Sequence, residues 1–201
     1  ENDDTCEIGQ CKSCQEISLA KPYYSTSNNS CGECLECPEE TPYYLQSGEF
    51  SKLSRNGTLG GEECAVAGDG TNVWQAFDGS NSTSWQSPNT GFPYTITVYN
   101  PEAMVISAIN VKNASGSNKA ISTFKLYGSN DGTNYRDLGR YTNSVSGSAQ
   151  SWSVNVREDK INSYRYYKIQ ILSSGDKCSV AVSEITFDTI NGCVATLPDS
   201  M

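Results

Sequence analysis

The chain has 201 residues, a formal net charge of −9 and no histidine. An acidic surface disfavours both a nucleic-acid backbone and electrostatic docking to anionic lipid, so we expect neither nucleic acid nor membrane lipid as a partner. The absence of histidine removes the commonest general base and an imidazole metal ligand. No signal peptide or membrane-spanning run is evident, and we expect a chain that follows a removed signal or belongs to a longer protein.

Residues 1–48 are organised by cysteine. A Cys-x-x-Cys pair followed by Pro-Tyr-Tyr occurs twice, ending at Tyr24 and at Tyr44. The segment has too few apolar residues for a core, so cross-links are expected to replace one. It resembles the furin-like, growth-factor-receptor type of cysteine-rich repeat. Sequence does not choose among the possible pairings of its six cysteines, which are Cys6, Cys11, Cys14, Cys31, Cys34 and Cys37.

Whether these cysteines form disulfides or bind zinc depends on whether the cellular compartment is oxidising or reducing. The segment's Cys-x-x-Cys pairs supply enough thiolates for a zinc site, which stays open as an alternative, whereas a redox role would need a βαβ pattern around them. Nine cysteines and four glycosylation sequons favour an oxidising, secretory compartment and hence a secreted or cell-surface glycoprotein. The sequons lie at Asn28, Asn56, Asn81 and Asn113.

Residues 46–61 are polar and glycine-rich, and they predict the join between two domains. Beyond them the sequence predicts strands without a helical period, because apolar residues alternate with polar ones. Turn signals separate these strands at 113–118, 130–132, 142–148 and 173–176. Many short strands predict an all-β sandwich or barrel. The strands are marked by Tyr94, Ile96 and Val98; by Val105, Ile109 and Val111; by Phe124 and Leu126; by Trp152 and Val154; by Tyr167, Ile169 and Ile171; and by Ile185 and Phe187.

The segment 76–85 carries the most specific chemistry. Asp78 and Gly79 favour a tight turn, and hydroxyl groups follow within a few residues. Oxygen atoms that converge in a short turn suit a hard cation such as calcium, although the spacing is not that of an EF-hand. Trp85 is expected to anchor the end of this loop against the core.

Three motifs in order resemble the discoidin, or coagulation factor V/VIII type C, domain, whose fold is shared by family 32 carbohydrate-binding modules. The resemblance covers roughly residues 50 to 193. It implies a discoidin-type jelly-roll β-sandwich over 49–193, preceded by the small disulfide-rich domain 1–48 and followed by a tail, 194–201. The motifs are Asp78-Gly79 with Thr83 and Trp85; Phe124 to Gly132; and Tyr164 to Ile169 with Ser183 to Ile185.

The resemblance implies a structural calcium ion. Carried over, its ligands are the side chains of Asp78, Ser80, Thr83 and Glu184, with backbone carbonyls near Ala76 and Ser80. Family members often have Asn where Ser80 stands. The alternative is an Asp-Gly turn without metal, in which Glu184 bonds loop amides.

The resemblance also implies ligand binding by loops at one end of the sandwich. Aromatic side chains stack on sugar rings, and amide or carboxylate groups bind hydroxyls. Many galactose-binding members use a histidine, which this chain lacks, and the apolar spikes of lipid-binding members are missing from 68–72. Trp74 is expected in the core rather than as a platform. The candidate ligand-binding residues are Asp69, Asn72, Phe92 and Tyr94.

Three cysteines fall in the predicted sandwich: Cys64, Cys178 and Cys193. The family often ties the two ends of the domain with a disulfide, and Cys193 lies where the closing cysteine is expected. Adjacent strand ends would also allow a bridge between Cys64 and Cys178, leaving Cys193 to pair elsewhere. Because nine is an odd number, at least one thiol is free or pairs outside the chain.

The sequence therefore predicts a secreted, non-enzymatic recognition protein that binds a glycan or an extracellular protein. No catalytic residues are predicted, because histidine, a Gly-x-Ser-x-Gly elbow and a phosphate loop are all missing. One alternative is a structural subunit that self-assembles into an extracellular fibre or coat. Another is an accessory binding module of a larger extracellular enzyme.

Overall fold

The computed structural model describes residues 43–45, 47–116, 118–143 and 150–194, with backbone alone at 43–45 and 192–194. The predictions for the six N-terminal cysteines and for Asn28 lie outside these residues. The chain divides into one unit of residues 1–46 with 191–201 and a second unit of residues 47–190. In the first unit, strand β1 (Tyr43–Leu45) pairs antiparallel with β10 (Gly192–Val194), and Tyr44 lies opposite Cys193.

The second unit is a β-sandwich, which confirms the predicted all-β, discoidin-type fold. Two short 3₁₀ helices, Val73–Ala76 and Glu158–Lys160, interrupt the strands. Within the described part of the chain, no helix is long and apolar enough to cross a membrane. The strands are β2 (Ala65–Gly68), β3 (Trp85–Gln86), β4 (Tyr94–Asn113), β5 (Ile121–Ser129), β6 (Arg136–Thr142), β7 (Ser151–Asn155), β8 (Ser163–Ser174) and β9 (Ala181–Thr189).

The long strand β4 takes part in both layers of the sandwich. Its first half pairs with β2 and β8, and β8 continues through β5 to β6. Its second half pairs with β7 and β9, and β9 continues to β3. The register with β8 shifts between Tyr99 and Met104, where Asn100 and Pro101 interrupt the regular pairing. All of these pairings are antiparallel, and only β5 and β6 are both paired and consecutive along the chain within the described sandwich.

The core lies between the two layers and follows the period-two pattern of the sequence. Along β4, Tyr94, Ile96 and Val98 are buried while Thr95 and Thr97 are only partly covered. Trp85 is completely buried and its indole N–H donates to the Asp69 carbonyl at 3.1 Å, so the predicted anchoring role is confirmed. Phe77, Phe124, Tyr141, Trp152 and Tyr167 contribute further buried rings.

Two features of the strand order differ from the sequence-based prediction. The segments around Ile96 and Ile109 were predicted as separate strands, but they are halves of β4, because the bulge after Tyr99 bends the chain without ending its pairing. Strand β6 was not predicted at all. Its sequence contains Gly139 at φ 121° and a register shift, which break the polar–apolar alternation.

Candidate functional site

Loops at one end of the sandwich are tied together by hydrogen bonds to two side chains, Tyr94 and Asp69. The Tyr94 hydroxyl accepts hydrogen bonds from the amides of Thr90 and Gly91, at 3.1 and 3.0 Å, and donates to the Cys178 carbonyl at 2.7 Å. The Asp69 carboxylate accepts from the Thr95 amide at 2.6 Å. The segments 69–72, 87–94 and 176–178 therefore form one connected set of loops beside the strand ends, which we call the rim.

These contacts involve two of the four candidate ligand-binding residues and correct the prediction for one of them, Tyr94. Tyr94 is 1% exposed, so its ring offers no stacking face, and its hydroxyl already bonds both neighbouring loops. Asp69 is exposed, but one of its carboxylate oxygens holds the first residues of β4 in place. Both residues therefore position the rim; burial excludes the Tyr94 ring as a stacking platform, whereas Asp69 stays exposed.

The other two candidates remain available to a ligand. Asn72 is exposed and adopts the left-handed conformation, with φ 56°. Phe92 is half-buried, and its ring meets the Tyr94 ring edge-on with centroids 5.0 Å apart. Trp74, predicted in the core, is partly buried and packs against it. The rim thus presents the partly exposed Phe92 ring and the exposed side-chain amides of Asn72 and Asn89.

A second cluster, the acidic corner, is built by the loop after the first 3₁₀ helix. One Asp78 carboxylate oxygen accepts the Ser80 amide at 2.8 Å, and the other accepts the Thr83 hydroxyl at 2.6 Å. The Ser80 hydroxyl accepts the Ser82 amide at 3.1 Å. Ala76 is fully buried as the last residue of the 3₁₀ helix, two positions before Asp78. The loop is therefore fixed by its own side chains.

Strand β9 brings Glu184 to the acidic corner from far along the sequence. Burial, followed by the charge of Asp78, raises the pKa of Glu184 to about 7, while the amides of Gly79 and Ser80 and the charge of Lys52 oppose the shift. One carboxylate oxygen of Glu184 is buried and has no hydrogen-bond partner. The fold therefore places two carboxylates close enough for their charges to interact and leaves one oxygen unsatisfied.

The chemistry of this corner fits a hard divalent cation. It offers two carboxylates, the Thr83 hydroxyl and nearby backbone carbonyls, and the unsatisfied Glu184 oxygen is the kind of atom that a cation would coordinate. No three Asp, Glu, Cys or His side chains converge as a metal cluster within the described ranges. A cation here would therefore depend on hydroxyl and carbonyl oxygens as well as on Asp78 and Glu184.

Lys52 is the residue of this corner that sequence reasoning missed. A Cβ atom built on Gly79 would lie 2.6 Å from Lys52 Cε and 2.8 Å from its Nζ, so the lysine lies directly over the turn. Lys52 is exposed, and nothing in the local sequence marks it. Only the closed fold places its charge beside Glu184.

A cleft in this unit adjoins the acidic corner through Lys52, which lines both. It has a volume of about 700 Å³ and is lined by Cys64, Asn100, Pro101 and a set of charged side chains. The ion pair between Arg55 and Glu63 at its edge is largely exposed to solvent. None of the predicted ligand-binding or metal residues lies in this cleft.

The predicted bridge between Cys64 and Cys178 is wrong. Both thiols are free, with Cys64 half-buried and Cys178 exposed. The Cys64 thiol lies 3.5 Å from the Asn100 side-chain oxygen, near the middle of β4. The Cys178 carbonyl accepts from the Tyr94 hydroxyl, at the start of β4. Six residues of strand separate these positions, or roughly 20 Å, which is too far for a disulfide.

The four sequons differ in accessibility. Asn113 is 1% exposed and accepts a hydrogen bond from the Trp152 indole at 3.2 Å, so its prediction as a glycan site is wrong for the folded protein. The Asn56 side-chain oxygen accepts a hydrogen bond from the Trp74 backbone amide at 3.0 Å, so this side chain already takes part in the fold. Asn81 is exposed on the acidic-corner loop.

Comparisons with known proteins place this fold. Residues 61–185 match the F5/8 type C domain model, whereas a comparison with curated proteins found no match. A similar structure is CpGH89CBM32-5 from Clostridium perfringens, in complex with GalNAc-β-1,3-galactose, at 18% identity and a TM-score of 0.53, covering 62% of this chain and 93% of that one.

Two further structures have the same fold. The family 32 module of C. perfringens NanJ, in complex with galactose, is 16% identical, with a TM-score of 0.52 and coverage of 62% of this chain and 90% of that one. The C-terminal domain of a Bacteroides fragilis chitobiase is 22% identical, with a TM-score of 0.51 and coverage of 60% and 81%. On the family match, this chain belongs to the F5/8 type C domain family.

Proposed function

We propose that the chain is a non-catalytic glycan-binding module that binds a galactose-type sugar at the rim. The observation that carries the proposal is the rim itself, where two loops are fixed by Tyr94 and leave the Phe92 ring partly exposed. The similar modules in complex with GalNAc-β-1,3-galactose and with galactose support this class of ligand. The chain has no histidine that could contact the sugar. The ligand would instead contact Phe92 and Asn72, which are accessible at the rim.

We propose further that calcium stabilises the acidic corner. Asp78, Thr83 and Glu184 would hold the ion, which would neutralise two carboxylates that otherwise repel each other. Its role would be structural, because its ligands would join the loop 78–83 to strand β9. The corner would then hold the loop 78–83 against β9.

We also propose an extracellular setting for the module. Several similar structures are modules of glycoside hydrolases, including CBM32-3 from a family 31 glycoside hydrolase of C. perfringens, which supports the role of an accessory module. A structural subunit of an extracellular assembly is the competing role.

Sugar binding by Phe92→Ala tests the rim. We expect wild-type protein to bind galactose or N-acetylgalactosamine with millimolar affinity in calorimetry. Phe92→Ala should bind about five- to tenfold more weakly, since one stacked ring contributes roughly 1–1.5 kcal/mol. Tyr127→Ala, an aromatic residue of similar exposure on a sheet face, is the matched control and should bind normally. Equal affinity of wild type and Phe92→Ala would contradict the rim as the site.

A further inference from the structure

The outer face of the sheet formed by β4, β8, β5 and β6 carries an unusual set of side chains. Across the strands, Thr97 lies opposite Lys168, and Lys168 lies opposite Tyr127. One row away, Gln170 lies opposite Lys125, and Lys125 lies opposite Arg140. The intervening residues point into the core. We call this the tyrosine–lysine face, and its members are Lys125, Tyr127, Tyr135, Arg140, Arg165, Tyr166, Lys168 and Gln170.

The charge of this face is opposite to that of the chain. Strands β5, β6 and β8 contain a single carboxylate, Asp137, whereas the chain as a whole has a net charge of −9. A local excess of positive charge on an acidic protein concentrates anions at that surface. The cations of the three strands are Lys125, Arg136, Arg140, Arg165 and Lys168.

Aromatic rings, more than carboxylates, hold these cations in place. Lys168 Nζ lies 3.5 Å from the centroid of the Tyr135 ring, and Arg165 donates to the Tyr99 hydroxyl at 3.1 Å. Lys125 is shared between Asp137, at 3.3 Å, and the Tyr127 ring. Across the described ranges, no carboxylate forms an ion pair with Arg140, Arg165 or Lys168. Their charge is therefore available to an external anion.

The neutral groups between the cations suit a sugar. The half-buried Tyr127 and Tyr166 expose part of their rings, and the Tyr127 hydroxyl bonds the Gln170 side chain at 3.3 Å. Rings of this kind stack on the apolar faces of pyranose units, and amide or phenol groups bind hydroxyls. An extended, charged polysaccharide would use both the rings and the cations.

We propose that the tyrosine–lysine face binds an acidic polysaccharide, one that carries carboxylate or sulfate groups along its chain. The face lies on the flat of the sandwich, whereas the rim lies at the ends of its strands. The proposal is therefore independent of sugar binding at the rim, and a chain lacking either site would retain the other.

Polyanion binding by the Lys125→Gln/Lys168→Gln variant tests this face. Heparin carries sulfate, polygalacturonate carries carboxylate, and neutral galactan carries neither. We expect wild-type protein to bind at least one polyanion, more weakly at about 500 mM than at about 50 mM NaCl, because salt screens the contacts. The double variant should bind about tenfold more weakly or worse, since two partly exposed charge contacts contribute roughly 1–2 kcal/mol together.

The matched control is Arg55→Gln/Lys112→Gln, which removes the same charge from other parts of the unit. It should bind polyanions within about twofold of wild type. Circular dichroism melts of both variants establish that each is folded. Equal binding by wild type and Lys125→Gln/Lys168→Gln, or an equal loss in the control, would overturn the proposal. Absence of polyanion binding by the wild-type protein would also overturn it. A wild-type dimer that the double variant dissociates in sedimentation would then identify a second copy as the occupant.

Discussion

The Tyr94 hydroxyl donates to the Cys178 carbonyl at 2.7 Å and thereby joins two loops that are 84 residues apart in the sequence. The same oxygen accepts two amides from the segment before Tyr94. One phenol thus satisfies three backbone groups at the end of the sandwich. Because the ring is buried, this arrangement is part of the core and positions the rim for any ligand that meets it.

Tyr94→Phe should weaken both the fold and the rim. The variant keeps the ring but leaves the amides of Thr90 and Gly91 and the Cys178 carbonyl without that partner, which costs about 1–3 kcal/mol of unfolding free energy. Urea denaturation measures the loss. Tyr127→Phe is the control, because the half-buried Tyr127 hydroxyl bonds side chains and no backbone group, and it should change stability by less than about 0.5 kcal/mol. Equal effects of the two variants would contradict the linking role of Tyr94.

Calcium should raise the thermal stability of the wild-type protein and not that of Asp78→Ala. At a free calcium concentration of about 100 times the dissociation constant, binding adds about 2.7 kcal/mol, or roughly 5–10 °C in Tm for a unit of this size. Scanning calorimetry with calcium and with chelator gives the difference. Asp159→Ala removes a carboxylate from exposed ion pairs and should keep the full calcium response. A melt of the wild-type protein that chelator leaves unchanged would rule out the site.

Without calcium, stability should fall as pH rises through neutrality. The folded pKa of Glu184, about 7, lies above the ordinary 4.5, so the folded state holds this proton more tightly than the unfolded state does. The stabilisation is therefore complete below about pH 4.5 and lost as pH rises through about 7, amounting to about 1 kcal/mol after solvent screening of a partly exposed group. The measurement is the difference in unfolding free energy between wild type and Glu184→Gln, in chelator, across this range. A difference that does not vary with pH would contradict it.

Cys178 should react with a maleimide in the folded protein without prior reduction. Its thiol is exposed and free, whereas Cys64 is half-buried and contacts Asn100 and the Ser51 amide, so it should react more slowly. Mass spectrometry of peptides after timed labelling separates the two sites. Protection of Cys178 that a reductant removes would show that it is in a disulfide.

Period-two patterns predicted the sandwich because inward and outward residues alternate regularly on most of its strands. The same pattern already placed Tyr94 on the inward face with Ile96 and Val98, although its position after a loop suggested a ligand platform. Asn113 likewise continues the inward series of Val111 at the end of β4. In both cases the strand period was a better guide than the residue type.

Other features depend on contacts between distant segments and leave no local signal. The tyrosine–lysine face depends on which residues of β8 lie opposite those of β5, and that register is set by the core. The position of Lys52 over Gly79 is of the same kind. Only the family resemblance predicted that Asp78 and Glu184 meet. The two residues are 106 positions apart in the sequence, and such a separation carries no information about proximity in space.

Strand β4 runs for 20 residues through both layers of the sandwich. The two layers therefore share one strand. They cannot separate as two sheets unless β4 loses its hydrogen bonds to the neighbouring strands in one layer. Strain applied at one end of β4 is resisted by hydrogen bonds in both layers. The two layers are therefore expected to unfold together, in a single cooperative transition.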